Sequence, residues 1–277
     1  MEPLKTDILT GIVYREWNIS PSRAVILLVH GLGAHSARWS DLAEFFIHRG
    51  ISCYAVELRG YGETSDIKGH VSSFGVYYRD IQRLRTIISE KHPDEKVFLL
   101  GESMGGLIAF MAAALKPGPF DGLICVSPVF ASKLKFSVLD YVKMAVCALC
   151  NPARQFKMPF SSEMCTQDAA CRETMDADPK EHRLASARTL FETIAASIRA
   201  EWIKKRILIP VLFLLAGNDK LVSPVASKRI FKAMKTHVKN LIEYPDMYHS
   251  LTIESGRKMV FRDILMWIDR HELQLRF

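Results

Sequence analysis

A chain of 277 residues, 49% of them apolar and 24% charged, holds enough hydrophobic material for a full-sized globular core. The net charge of +7 is dispersed, with no basic block and no nucleic-acid motif, so a solvated surface is expected rather than a nucleic-acid partner. No stretch reaches the ~18 unbroken apolar residues of a membrane span, and the charged N-terminus lacks an apolar core of signal-peptide length, so a soluble, cytoplasmic location is expected.

From residue 22 to 128 strand-like and helix-like units alternate. "AVILLVHG" (24–31) is a continuous buried-strand run rich in β-branched residues. Helical spacing follows over 38–49 (Trp39, Leu42, Phe45, Phe46), and Gly50 stops it. "ISCYAVEL" (51–58) is a second strand, followed by the Gly-rich loop "RGYGETS". An amphipathic helix is predicted over 74–91, a third strand over 96–100, a helix over 103–115 and a fourth strand over 122–127. This rhythm predicts an α/β fold, a mostly parallel sheet with helices on both faces. It breaks over 129–205, where no convincing buried strand occurs and helical patterns dominate. It resumes at "ILIPVLFLLAG" (207–217), with a helix around 223–236, a strand around 239–244 and a final helix around 255–270. The expected organisation is a core of residues 1–128 and 206–277 interrupted by a helical cap, 129–205.

Of the six cysteines, Cys53 and Cys125 lie in apolar runs and are expected in the core. Cys147, Cys150, Cys165 and Cys171 cluster, but their spacing fits a zinc site poorly, so reduced thiols and no metal are expected.

The chemistry concentrates at "VFLLGESMGGLIAF" (97–110). Ser103 stands between a predicted strand and a predicted helix, inside Gly101-x-Ser103-x-Gly105. A sharp turn there lifts the hydroxyl clear of the sheet, and the helix N-terminus places a positive dipole beneath it. A serine hydroxyl is a weak nucleophile, so it needs a base, and the base needs an orienting acid. Four histidines follow Ser103; His182, His237 and His271 belong to helical stretches or their ends. His249, in "YPDMYHSL", follows the last strand, and loops after parallel strands share one sheet edge. Asp219 in "FLLAGNDKLVS" reaches the same edge and is preferred as the acid over Asp246, which is too near His249 along the chain. The glycines of "HGLG" (30–33), Gly31 and Gly33, let backbone N–H groups approach a substrate; the amides of Leu32 and Met104 are the expected oxyanion donors.

Taken together, "HGLGAHSARW", "RGYGETS", "GHVSSFGVYYRDI", "GESMGG" with "LICVSPV", "LLAGNDKLV" and "YHSL" resemble the α/β-hydrolase superfamily, and within it the monoacylglycerol lipase and lysophospholipase group. The resemblance runs from residue 22 to 270. It implies Ser103 as nucleophile, Asp219 and His249 as its partners, and 129–205 as a lid over an acyl site. Three positions depart from the group's pattern: Glu102 replaces a frequent histidine, Ala34 a frequent acid, and Thr252 a histidine sometimes found after the catalytic one. Arg38 is retained among the polar positions that hold glycerol in the group, so ester hydrolysis carries over further than a monoacylglycerol substrate.

In the cap, "VLDYVKMAVCALC" offers Val138, Leu139, Val142, Met144, Val146 and Leu149. Two readings stand level: packing against the main domain, or a wall of an acyl pocket, with Val146 a candidate substrate contact and one side facing a membrane. The expected activity is hydrolysis of a small acyl ester or lipid through an acyl-enzyme, with no cofactor. Acyl transfer or amide hydrolysis would use the same site, and a non-catalytic binding protein remains a third class, although such proteins typically lose a triad member.

Overall fold

The computed structural model describes residues 3–116 and 118–273. In chain order its first half holds β1 (Leu4–Thr6), β2 (Val13–Trp17), β3 (Ala24–Val29), α1 (Ser40–Ile47), β4 (Ile51–Glu57), α2 (Phe74–Lys91), β5 (Lys96–Glu102), α3 (Met104–Leu115) and β6 (Gly122–Val126). An inserted segment follows with α4 (Val138–Cys150), β7 (Gln155–Lys157), α5 (Ser162–Cys165), α6 (Ala169–Ala177), β8 (Leu184–Ser186) and α7 (Ala187–Ile203). The chain closes with β9 (Val211–Ala216), α8 (Pro224–Ala233), β10 (Lys239–Tyr244) and α9 (Arg257–Leu273).

Eight strands form one sheet in the order β1-β2-β4-β3-β5-β6-β9-β10. β1 and β2 are antiparallel additions, and the pairings from β4 through β10 are parallel. The continuous apolar runs are explained by burial on both faces. Val25, Leu27 and Val29 of β3, with Val97 and Leu99 of β5, pack into a cluster that includes α2 and α3 residues such as Leu84 and Leu107. The alternate residues, Ile26, Leu28, Phe98 and Leu100, pack on the opposite face with Phe46 of α1 and Ile264 of α9. This is the α/β-hydrolase architecture.

Two features depart from the pattern expected of the sequence. β1 and β2 escape the pattern because β1 is three residues long and mostly exposed, while β2, "VYREW", buries an arginine among its aromatics; pairing with β4 makes it a strand. The inserted segment is mostly helical but also contains β7 and β8, an antiparallel pair of three residues each, too short for a period-2 signal.

Candidate active site

The loops that leave β3, β5, β9 and β10 converge at the carboxyl edge of the sheet, where α/β proteins bind ligands. β5 ends at Glu102 and α3 begins at Met104, so Ser103 alone makes the turn, with φ 58° and ψ −121°. A non-glycine residue rarely adopts such a conformation, and it must be held there. The neighbouring chain holds it: Ser103 N–H donates to the Val126 carbonyl at 2.9 Å, and its own carbonyl accepts from Leu107 and Val129. Glycine is required at 105, because a Cβ there would overlap the carbonyl oxygens of Val29 and His30, where α3 crosses the end of β3.

His249 reaches this turn from the loop after β10. Its Nε2 lies 2.8 Å from Ser103 Oγ, and its Nδ1 lies 2.8 Å from Asp219 Oδ2. Asp219 follows β9, and its other oxygen accepts from the N–H groups of Leu221 and Val222 at 2.8 and 2.9 Å. Asp219 and His249 are both buried. Burial alone would raise the Asp219 carboxyl, but His249 and the two amides outweigh it and hold it below the ordinary range. Burial alone would lower the His249 imidazole; Asp219 outweighs it, with a further contribution from Glu102, and the net direction is up. A ring protonated at Nδ1 donates to Asp219 and accepts the Ser103 hydroxyl, which is the tautomer a base needs. Asp246, the competing acid, is exposed.

Gly31, Leu32 and Gly33 line the same cavity as Ser103 and Met104. A Cβ on Gly31 would come within 3.1 Å of the Ser103 Cβ, so glycine permits the loop's close approach. Met104 opens α3, and its N–H is one of the first-turn amides without a partner inside the helix. Gly33 has φ +84°, and its carbonyl accepts from His182 N–H, which joins this loop to the inserted segment.

The cavity has a volume of about 240 Å³. One part of its wall is an apolar cluster from the inserted segment, built from Leu134, Phe136, Met144, Met158, Phe160 and Leu190. Another part is charged: Arg38 pairs with Glu181, and both are largely buried. Burial lowers the Arg38 guanidinium, and the nearby Glu102 carboxylate is the leading influence opposing it.

Val146 corrects the expectation made for it. It is 54% exposed and lies outside the cavity wall; the α4 residues that line the wall are Tyr141 and Met144. Met144 is the buried residue of α4, and Tyr141 borders the cavity while staying half exposed. Val138, Leu139, Val142 and Leu149 share the outer exposure of Val146, so α4 does not pack them against the main domain.

Some wall residues gave no sequence signal. Met158 and Phe160 lie in a loop without periodicity, and Glu181 was legible only as one acid among several. The environment of Glu102 was also hidden. Its carboxylate is buried and accepts from the Thr252 N–H and hydroxyl; burial raises its pKa, opposed by His249, Thr252 and Arg38.

Residues 20–256 match the family described as serine aminopeptidase, S33, and the chain belongs to that family of α/β-hydrolases. It is 28% identical to human monoglyceride lipase over 253 residues, covering 90% of this chain and 83% of that one. It is 29% identical to the phospholipase YtpA of Bacillus subtilis, covering 92% of this chain and 98% of that one. The crystal structure of Paleococcus ferrophilus monoacylglycerol lipase superposes with a TM-score of 0.86 at 25% identity, covering 94% of this chain and 99% of that one. These likenesses place the chain among ester hydrolases.

Proposed function

We propose that the chain hydrolyses single-chain lipid esters, monoacylglycerols or lysophospholipids, with Ser103 as nucleophile, His249 as general base and then acid, and Asp219 as the group that orients His249. Ser103 Oγ attacks the ester carbonyl while His249 takes its proton. The backbone N–H groups of Leu32 and Met104 receive the developing oxyanion, and His249⁺ protonates the departing alcohol. Water, deprotonated by His249, then releases the fatty acid and frees Ser103. The observation that carries this reading is the unbroken contact chain from Ser103 to His249 to Asp219, 2.8 Å at each step, at the wall of a cavity with apolar and charged parts.

The apolar cluster suits an acyl chain, and the charged part around Arg38 suits a polar alcohol, with Gly31 and Gly33 letting the ester reach Ser103. The segment 129–205 serves as a lid that supplies the acyl wall. Its outer surface supports a peripheral lipid contact: Leu149 of α4 is 88% exposed and Trp202 of α7 is 81% exposed, with Val138, Val142 and Ile198 also uncovered. No helix among the described residues is long and apolar enough to cross a membrane. The related human enzyme is named a monoglyceride lipase and the Bacillus relative a phospholipase, which frames the choice of head group.

The test is a panel of monoacylglycerols and lysophospholipids of graded chain length beside short soluble esters, scored for released acid. Hydrolysis of at least one class supports the reading; hydrolysis of short soluble esters alone contradicts the lipid assignment.

A further inference from the structure

We propose that Glu102 and Thr252 form a clasp that positions His249 against Ser103, with Glu102 acting as a positioning residue for the hydrolytic reaction. Glu102 is the last residue of β5 and immediately precedes Ser103. Thr252 lies in the 3₁₀ turn Leu251–Ile253, three residues after His249. Glu102 Oε1 accepts from the Thr252 N–H at 3.2 Å and from its hydroxyl at 3.1 Å, while Oε2 lies 3.0 Å from the same hydroxyl. The relative exposures are 6% and 2%, so water does not compete for these bonds.

The consequence is geometric. The strand that carries the nucleophile and the turn that follows the base are tied by a side chain one residue from the first and three from the second. Other ties of the His249 loop run elsewhere: Ser250 N–H donates to the Cys165 carbonyl in the inserted segment, and Tyr248 N–H to the Glu254 carboxylate. Asp219 fixes the rotation of the ring through Nδ1, and the Glu102 tie fixes how far the loop stands from β5.

Glu102 and Thr252, two of the positions singled out in the sequence, are thus in direct contact. A buried carboxylate at 102 needs donors, and Thr252 supplies both an N–H and an O–H. A purely structural role would cost stability when the pair is broken but leave turnover per folded molecule intact. A positioning role costs turnover, because sub-ångström displacement of a base from its nucleophile is expensive.

This rests on Ser103 and His249 being nucleophile and base, so Ser103→Ala is run beside the clasp variants on p-nitrophenyl butyrate, with kcat, KM and Tm measured for each. Glu102→Ala is expected to lower kcat about a hundredfold, and Thr252→Val about tenfold, with KM within about twofold. Glu102→Gln and Thr252→Ser, which keep the hydrogen-bonding groups, are expected to recover kcat to within about threefold of wild type. The clasp is overturned if Glu102→Ala keeps kcat within about threefold, if the loss is in KM alone, or if the Gln and Ala variants lose kcat equally. Should Glu102→Ala not fold, the Thr252→Val and Thr252→Ser pair decides the matter by the same criteria. If Ser103→Ala hydrolyses the ester as well as wild type, the underlying functional reading fails; if only the clasp variants are silent, the clasp alone fails.

Discussion

Asp219 and His249 face each other at 2.8 Å in a pocket where both are almost fully buried, and the carboxylate's second oxygen is held by two backbone amides. The acid is thus anchored to its own loop before it meets the ring. Such an acid works through its charge and its acceptor oxygen together. Asp219→Asn keeps the volume but presents an amide that can favour the wrong imidazole tautomer, so kcat is expected to fall by about a thousandfold to ten-thousandfold with little change in fold. Steady-state kinetics with circular dichroism on the same preparation checks this; a loss below about tenfold contradicts the role given to Asp219.

The direction of the His249 shift sets a pH dependence. A raised imidazole keeps its proton to higher pH, and the base works only when neutral, so kcat/KM falls on the acid side with a midpoint above the ordinary 6.5. The charges that raise it are Asp219, from the loop after β9, and Glu102, at the end of β5; Arg38 faces Glu102. Glu102→Gln removes one of the two, so the midpoint moves to lower pH even where the plateau is retained. A pH–rate profile of the two proteins decides, and an unchanged or higher midpoint in the variant counts against the coupling.

Gly105 marks the point where α3 meets the end of β3. A methyl group there collides with backbone carbonyls, which cannot rotate away as a side chain can. Gly105→Ala is therefore expected to cost about 2 kcal/mol or more. Urea denaturation measures it, and a midpoint equal to that of wild type removes the close-approach explanation.

The outer face of α4 offers a separate test. Val142 and Leu149 are exposed and lie outside the cavity wall. Replacing both by glutamate is expected to weaken co-sedimentation with phosphatidylcholine–phosphatidylglycerol vesicles by at least about fivefold. Hydrolysis of p-nitrophenyl acetate, a soluble ester, is expected to stay at the wild-type rate. Undiminished vesicle binding contradicts the lipid-facing assignment.

Much of this site is legible in the sequence because its parts obey local rules. Ser103 is marked by glycines at a strand-to-helix junction, and Asp219 and His249 by their places after apolar strands. Parallel topology then brings all three to one edge. Residues without a periodic signal were not legible. Val146 lies in an apolar helix whose sequence does not say which face turns inward; the structure buries Met144 instead. The Arg38–Glu181 pair and the Glu102–Thr252 contact span 143 and 150 residues of sequence, distances over which composition and spacing carry no information. β2 carries no clear signal for a related reason, since its burial depends on pairing with β4 and not on its own pattern.

The most direct test of the account is the hydrolysis of a monoacylglycerol by wild type and Ser103→Ala at equal folded concentration, followed by fatty-acid release. The account predicts steady turnover by the first and a loss of at least about a thousandfold in the second, together with fluorophosphonate labelling of the wild type alone. Retention of turnover by Ser103→Ala would contradict it.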